Sequence, residues 1–306
     1  MQGWRQVRVE VDATAVDIVS GALWGAGAAG IEECPVASGA RCALLAAVPA
    51  DRLEAVLDAV SELDPVVADL DPGAGLDTWK RHARPVEAGP FVVEPAWWAP
   101  AATSAAPGVG ACGGVGTERR HLRIDPGRSF GSGSHVTTRL MLEAVGRFTR
   151  PGSRMLDVGC GSGVLSVAAA LSGASEVRAI DIDPHAVEAT IANARRNGVG
   201  ARIDCDGASL EQVRGVFDLV LANIGASVLV DLAGPLAARV APGGRLVLSG
   251  MLDEQVDQVA AAHAHAFPER AERRGRDGWG LLVLCRPAGS PAPSGSPVGE
   301  RGSPDR

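Results

Sequence analysis

The sequence predicts an α/β protein: a doubly wound, mostly parallel, Rossmann-like sheet with a smaller α+β domain ahead of it. Three observations carry this. From about residue 119 onward, short apolar runs alternate with stretches of helical period. A glycine turn, GCGSG at 159–163, follows the first buried run and opens a helical stretch. Residues 1–71 show a separate order of strand, helix, strand, strand, helix, strand, that of a ferredoxin-like split unit.

The small domain reads as follows. Residues 4–12 alternate, with Val7, Val9 and Val11 on one face and Arg8, Glu10 and Asp12 on the other, a half-buried strand. Over 13–26, Val16, Val19, Leu23 and Trp24 recur at helical spacing, and Gly25, Gly27 and Gly30 supply the stop. Residues 31–36 and 42–48 read as strands. Asp51 is placed to cap a helix whose Leu53, Val56, Leu57, Val60 and Leu63 form one stripe. Pro65 ends it, and 66–70 is a fourth strand. Charge here is lopsided: residues 1–71 hold four Arg, no Lys and twelve Asp or Glu, about the whole negative excess of a chain of net charge -7. Such a surface either keeps a protein soluble or attracts a basic partner.

Residues 72–118 are expected to connect the domains. A strand or two fits within 77–98, and 99–116, rich in Ala, Gly and Pro with almost no charge, reads as a flexible insertion. The large domain is expected over 119–287. Its buried strands are 155–158, 177–180, 219–222, 246–249 and 280–285, and its helices 164–171, 184–197, 228–240 and 254–267. Pro242-Gly243-Gly244 makes a turn into a strand. The tail, 288–306, rich in Pro, Gly and Ser, is expected to be disordered.

Composition excludes several classes. At 306 residues with 46% hydrophobic and 21% charged, the chain has the balance of a soluble globular protein. No apolar run is long enough to cross a bilayer, and the charged, alternating start is no signal peptide, so a cytoplasmic location is expected. Six scattered cysteines (Cys34, Cys42, Cys112, Cys160, Cys205, Cys285) lack the paired spacing of zinc sites or disulfide frameworks, and His135 has no carboxylate at fixed spacing. No metal is expected. The negative balance argues against a duplex nucleic-acid binder.

The chemistry concentrates at strand ends. Gly159, Gly161 and Gly163 let the backbone turn tightly and approach a ligand, with helix N–H groups beyond them. A nicotinamide fingerprint is G-x-G-x-x-G; position 164 is Val, and the G-x-G-x-G spacing favours a methyl-donor site. Asp181, about twenty residues past the glycines at the next strand tip, is placed to accept from ribose hydroxyls, whereas Asp183, just before Pro184, reads as a helix cap. Asn223 stands where another strand enters the same cleft; it is either a turn former or a group that orients an amine. Thr137 or Thr138 could cap the helix through Phe148, and a second glycine loop, Gly131-Ser132-Gly133, suggests another wall of the pocket.

These residues carry a resemblance. The run Ile124-Asp125-Pro126-Gly127, then Phe130-Gly131-Ser132-Gly133-Ser134-His135-Val136-Thr137-Thr138, resembles the signature of the bacterial ribosomal-protein methyltransferase family PrmA, which modifies the stalk-base protein L-eleven. DVGCGSGVLSVAA, IDIDPHAV, ANARRNGV, ANI and LSGML follow in the family's order. The resemblance implies a seven-stranded methyltransferase sheet, S-adenosylmethionine as cofactor, and Thr138, Gly159, Gly161, Asp181 and Asn223 as donor-binding residues. It also implies that Asn223 faces the incoming amine as the catalytic residue. The small domain is then the substrate-recognition unit, docking a basic ribosomal protein whose lysine and N-terminal amines are methylated, with no nucleic acid or membrane as direct partner. The chain departs from the family at Ser132 and Ser134, which keep a hydroxyl where threonines are usual. Gly225 replaces a leucine after Asn223-Ile224, and 99–116 is inserted. The alternatives are another protein, an RNA base or a small molecule as acceptor, a dinucleotide oxidoreductase, and a binding module without catalysis. The absence of Pro-Pro-Tyr/Phe after Asn223 argues against base methylation.

Overall fold

The computed structural model describes residues 4–12, 15–28, 30–35, 41–69, 83–98, 119–127, 131, 133–268 and 271–289. The insertion over 99–116, the tail beyond 289, the 77–82 part of the connector, Leu70, and Phe130 and Ser132 of the second glycine loop lie outside the described residues.

Strands β1 (Trp4–Asp12), β2 (Gly30–Pro35), β3 (Arg41–Pro49) and β4 (Val66–Asp69) form an antiparallel sheet in the order β2-β3-β1-β4. Helices α1 (Val16–Gly25) and α2 (Leu53–Ala59) complete the split unit. Val7, Val9 and Val11 point into one core with Leu23, Leu44, Val48 and Val56, as the alternation demands. Helix α1 stops at Gly27, where a φ of 106° turns the chain and the Ala28 N–H bonds back to Leu23. The capping expected of Asp51 does not form: it lies in a 3-10 turn, Ala50–Arg52, with no side-chain cap bond. Asp64, in left-handed backbone, turns the chain out before Pro65.

A three-stranded sheet, β5 (Val86–Ala88), β6 (Phe91–Pro95) and β7 (Arg120–Ile124), joins the connector to the first strand beyond the insertion. Phe91, Val93, Leu122 and Ile124 share a core with α3 (Val136–Phe148) and α4 (Val164–Leu171).

The main sheet holds β8 (Arg154–Val158), β9 (Glu176–Ile180), β10 (Ile203–Asp206), β11 (Phe217–Asn223), β12 (Val240–Leu252), β13 (Glu272–Arg276) and β14 (Trp279–Cys285). Their order is β10-β9-β8-β11-β12-β14-β13, parallel up to β12, with β14 antiparallel to both neighbours. Alternate residues sort to opposite faces: Met155, Leu219, Leu221 and Val247 pack with α3 and α4. Leu156, Val220, Leu246 and Leu248 pack with α6 (Ala226–Asp231), α7 (Ala233–Ala237) and α8 (Val256–His263). Strand order reverses between β8 and β11, the place where open α/β sheets bind ligands.

Three sequence expectations change here. The helix expected over 228–240 is two short helices, because Pro235 has no N–H to carry the ladder across the break. The helix expected over 254–267 begins as a 3-10 turn, Asp253–Gln255, and ends at His263. Strands β10 and β13, absent from the sequence reading, are edge strands. Their IDCD and ERRGR sequences carry charge as exposed edges do, not the apolar run of a central strand.

Candidate active site

The carboxyl ends of β8, β9 and β11 meet at one place. After β8 the chain passes through Gly159, Gly161 and Gly163, with φ of 72°, 54° and 76°, backbone that favours glycine. A Cβ on Gly159 would lie 2.5 Å from Ile224 Cγ2, and one on Gly163 would lie 2.7 Å from the Thr190 hydroxyl oxygen. The turn is thus packed closely against the Ile224 and Thr190 side chains.

Asp181 follows β9 and braces this turn. Its Oδ2 accepts from the Gly161 N–H at 2.9 Å, and its Oδ1 from the Asp183 N–H at 3.0 Å. Asp183 caps α5 (Pro184–Arg196), accepting from the His185 N–H at 2.9 Å. The division of labour read from sequence therefore holds for Asp183, while Asp181 gains a bracing task that spacing did not disclose. Between them Ile182 is 92% exposed, apolar surface at a strand tip. Its signal in the sequence, an apolar residue between two acids, went unread.

Asn223 ends β11 opposite Ser249 of β12. Its Oδ1 is buried and has no hydrogen-bond partner among the described residues. Ile224 donates its N–H to the Ser249 carbonyl at 3.1 Å, and a Cβ on Gly250 would lie 2.5 Å from the Ile224 carbonyl oxygen. The backbone beyond Asn223 is clamped, so its side chain is aimed by the sheet.

Thr138 is buried in the first turn of α3, and its hydroxyl oxygen also lacks a partner among the described residues. The expectation that Thr137 or Thr138 caps this helix is corrected: His135 is the cap, its Nδ1 accepting from the Thr137 N–H at 3.3 Å and lying 2.8 Å from the Thr137 hydroxyl. Burial, with Arg139 nearby, lowers the His135 pKa to about 4, so the ring is neutral and can accept. Its ring makes a T-shaped contact with Trp279 at 4.8 Å between centroids. Trp279 is in turn approached by α1 of the small domain, where a Cβ on Gly21 would lie 2.5 Å from Trp279 Cη2.

The second glycine loop is tied to the first. The Ser162 hydroxyl donates to the Gly131 carbonyl at 2.6 Å. Asn193, fully buried on α5, was not singled out from sequence. Its amide donates to the carbonyls of Asp125 and Ser162, both at 2.8 Å, and its oxygen accepts from the Asp125 N–H at 3.0 Å. One side chain thus holds the 124–127 turn, α5 and the glycine turn together. Among the described residues no cluster of His, Cys, Asp or Glu could hold a metal ion, and no helix is long and apolar enough to cross a membrane.

Asp157, under the turn, is buried and accepts from the Ser166 hydroxyl at 2.6 Å; its second oxygen has no partner among the described residues. Burial raises its pKa to about 6, against the Ser166 bond that favours the anion. The folded state therefore holds this proton more tightly than the unfolded chain. Burial of Asp157 is free of the charge penalty below pH about 4 and carries all of it above pH about 6, on the order of 3 kcal/mol. Asp157→Asn removes the titration, so its stability relative to wild type is expected to rise between pH 4 and pH 7. Urea unfolding across that range checks this, and a pH-independent difference would remove the assignment. Any fixed cost of the amide cancels in the comparison.

The family model and the curated relatives agree on one family. The family model described as ribosomal protein L11 methyltransferase (PrmA) matches residues 52–287. The ribosomal protein L11 methyltransferase of Ralstonia nicotianae is 50% identical over 167 residues, 55% of each chain. That of Geobacter sp. is 42% identical over 238 residues, 73% of this chain and 70% of the relative. The crystal structure of ribosomal protein L11 methylase from Lactobacillus delbrueckii subsp. bulgaricus superposes with a TM-score of 0.53 at 29% identity, covering 64% of this chain and 94% of that one. The match spans about half the length of the first curated relatives, 55% and 54%.

Proposed function

Because the chain belongs to the ribosomal protein L11 methyltransferase (PrmA) family, we propose that it transfers methyl groups from S-adenosylmethionine to lysine and N-terminal amines of ribosomal protein L11 in the cytoplasm. The observation that carries this is the convergence, at the ends of three adjacent strands, of the glycine turn, Asp181 and an Asn223 oxygen with no partner among the described residues.

When bound, S-adenosylmethionine supplies an electrophilic methyl on a sulfonium sulfur. The residues fit such a molecule: the positive-φ glycine turn at Gly159 and Gly161 for its amino-acid part, Asp181 for ribose hydroxyls, and exposed Ile182 for the flat face of a base. The buried hydroxyl of Thr138 and the second oxygen of Asp157 offer polar atoms that await partners. Asn223 Oδ1 accepts an N–H of the acceptor amine and holds its lone pair in line with the methyl. An amide is no base at neutral pH, so proton loss from the amine is left to solvent.

Residues 1–71 form the recognition unit in this proposal, and those beyond 119 the transfer unit. Three of the small domain's four arginines are engaged with its own acids: Arg5 with Asp69, and Arg8 and Arg41 with Glu10. Asp51, Glu54, Asp58, Glu62 and Asp64 remain exposed along α2 and its flanks, with Arg52 among them. That acidic face suits a basic protein. The contact of α1 with Trp279 supports presentation of the target near Asn223, since Trp279 pairs with Leu252 of the strand that flanks Asn223.

Purified protein incubated with recombinant ribosomal protein L11 and labelled S-adenosylmethionine is expected to yield multiply methylated product by intact mass. Donor binding without transfer to this protein would retain the methyl donor and overturn the acceptor.

A further inference from the structure

Two thiols meet at the rim of the donor site, and the reading above uses neither. Cys160 stands between Gly159 and Gly161 in the glycine turn, Cys205 lies on β10, and their sulfurs are 3.9 Å apart. Strand β9 runs between β8 and β10, and both cysteines attach to it: the Cys160 N–H donates to the Ile180 carbonyl at 3.1 Å, and Cys205 is in register with Ala179. The side chains therefore meet over the end of β9, just before Asp181. Cys160 is buried and Cys205 half-buried, so a small reagent reaches the pair from the Cys205 side. The Thr190 hydroxyl lies 3.3 Å from the Cys160 sulfur and donates to the Gly161 carbonyl at 3.0 Å.

We propose that Cys160 and Cys205 form a reversible disulfide that weakens the donor site under peroxide. The contact with Cys205, together with burial, pushes the Cys160 thiol up, so attack begins at the more accessible Cys205. The Cys205 thiol gives its proton to solvent and the thiolate takes one oxygen from hydrogen peroxide; the O–O bond breaks, and the released hydroxide takes up that proton, leaving a sulfenic acid and water. The Cys160 sulfur then attacks the Cys205 sulfur: the S–S bond forms, the S–O bond breaks, and the hydroxyl leaves as a second water with the Cys160 proton. Two thiols are oxidised by two electrons and one peroxide is reduced.

The bond requires the sulfurs to close from 3.9 Å to about 2 Å. Cys205 is held in a strand ladder, whereas Cys160 sits between two glycines of positive φ. The turn is the softer partner and moves. That motion pulls on the Gly161 N–H to Asp181 bond and shifts the backbone that faces the donor. Formation of the bridge rests on this geometry alone; its effect on the donor rests on the proposed function.

The full-length protein is treated with hydrogen peroxide, with and without S-adenosylmethionine. Expected are loss of two hydrogens by intact mass, a proteolytic peptide linking Cys160 to Cys205, and slower bridging when the donor is present. Donor affinity by calorimetry should fall about tenfold or more and recover with dithiothreitol. Cys205→Ser should bind donor as wild type does and keep that affinity after peroxide. Oxidation of Cys205 to sulfinic acid without a cross-link would overturn the proposal, as would a cross-linked protein that binds donor as tightly as the reduced one. A reduced protein that binds no donor would speak against the donor reading, and the mass measurement would still decide on the bridge.

Discussion

Asp181→Ala is expected to weaken S-adenosylmethionine binding by roughly 10- to 100-fold, measured by titration calorimetry. The carboxylate accepts from two backbone donors, Gly161 on the glycine turn and Asp183 on the approach to α5. Hydrogen bonds to a charged group contribute about 1.5–3 kcal/mol each, and 1.4 kcal/mol is a factor of ten in affinity. Losing the acceptor frees the Gly161 N–H and removes the proposed ribose contact together. The sheet survives the change, because the N–H groups of Gly159 and Cys160 still donate to the Ile180 carbonyl at 2.9 and 3.1 Å. Asp181→Asn separates the two tasks. Its single oxygen can keep one backbone bond but cannot accept from both ribose hydroxyls through two oxygens, so affinity should fall between the other two proteins. Unchanged binding in Asp181→Ala would remove the ribose assignment. Tight binding in Asp181→Asn alone would reduce Asp181 to a brace.

Much of this site was legible in the sequence because its chemistry sits in local signals. The glycines at 159, 161 and 163 demand positive φ wherever the chain turns that sharply, and all three adopt it. Asp183 before Pro184 is a cap by local rule, and it caps. Asn223 was placed by the end of an apolar run, which is where β11 ends. What spacing did not disclose depends on contacts between distant segments. Asn193 looks like one polar residue on an amphipathic helix; only the fold brings Asp125 and Ser162, 68 and 31 residues away, to its amide. The cap at His135 was missed because a histidine accepts only when neutral, and burial that only the tertiary structure provides keeps it so. Cys160 and Cys205, 45 residues apart, carry no spacing signal and meet only across β9. Edge strands β10 and β13 were unread for the opposite reason. Their exposure relieves them of the apolar run that identifies a central strand.

Asn223→Ala is expected to lower kcat for methyl transfer about 100-fold, with donor affinity changed by less than about tenfold. The asymmetry follows from where the side chain stands. In the proposed site, the glycine-turn backbone, Asp181 and Ile182 remain to hold the donor, whereas no other described atom at the end of β11 is shown to be a buried acceptor without a partner. Displacement at a methyl carbon needs the amine lone pair on the line of the breaking bond, and an amide acceptor fixes that direction without itself taking a proton. Asn223→Asp tests this through the pH dependence of the rate. A carboxylate beside the amine stabilises its protonated, unreactive form and raises its pKa. The rising limb of the profile should therefore move to higher pH, and the variant's activity relative to wild type should increase with pH. Loss of donor affinity by Asn223→Ala with kcat intact would make Asn223 a donor-site residue only. A carboxylate variant whose profile superposes on wild type would place the amine elsewhere.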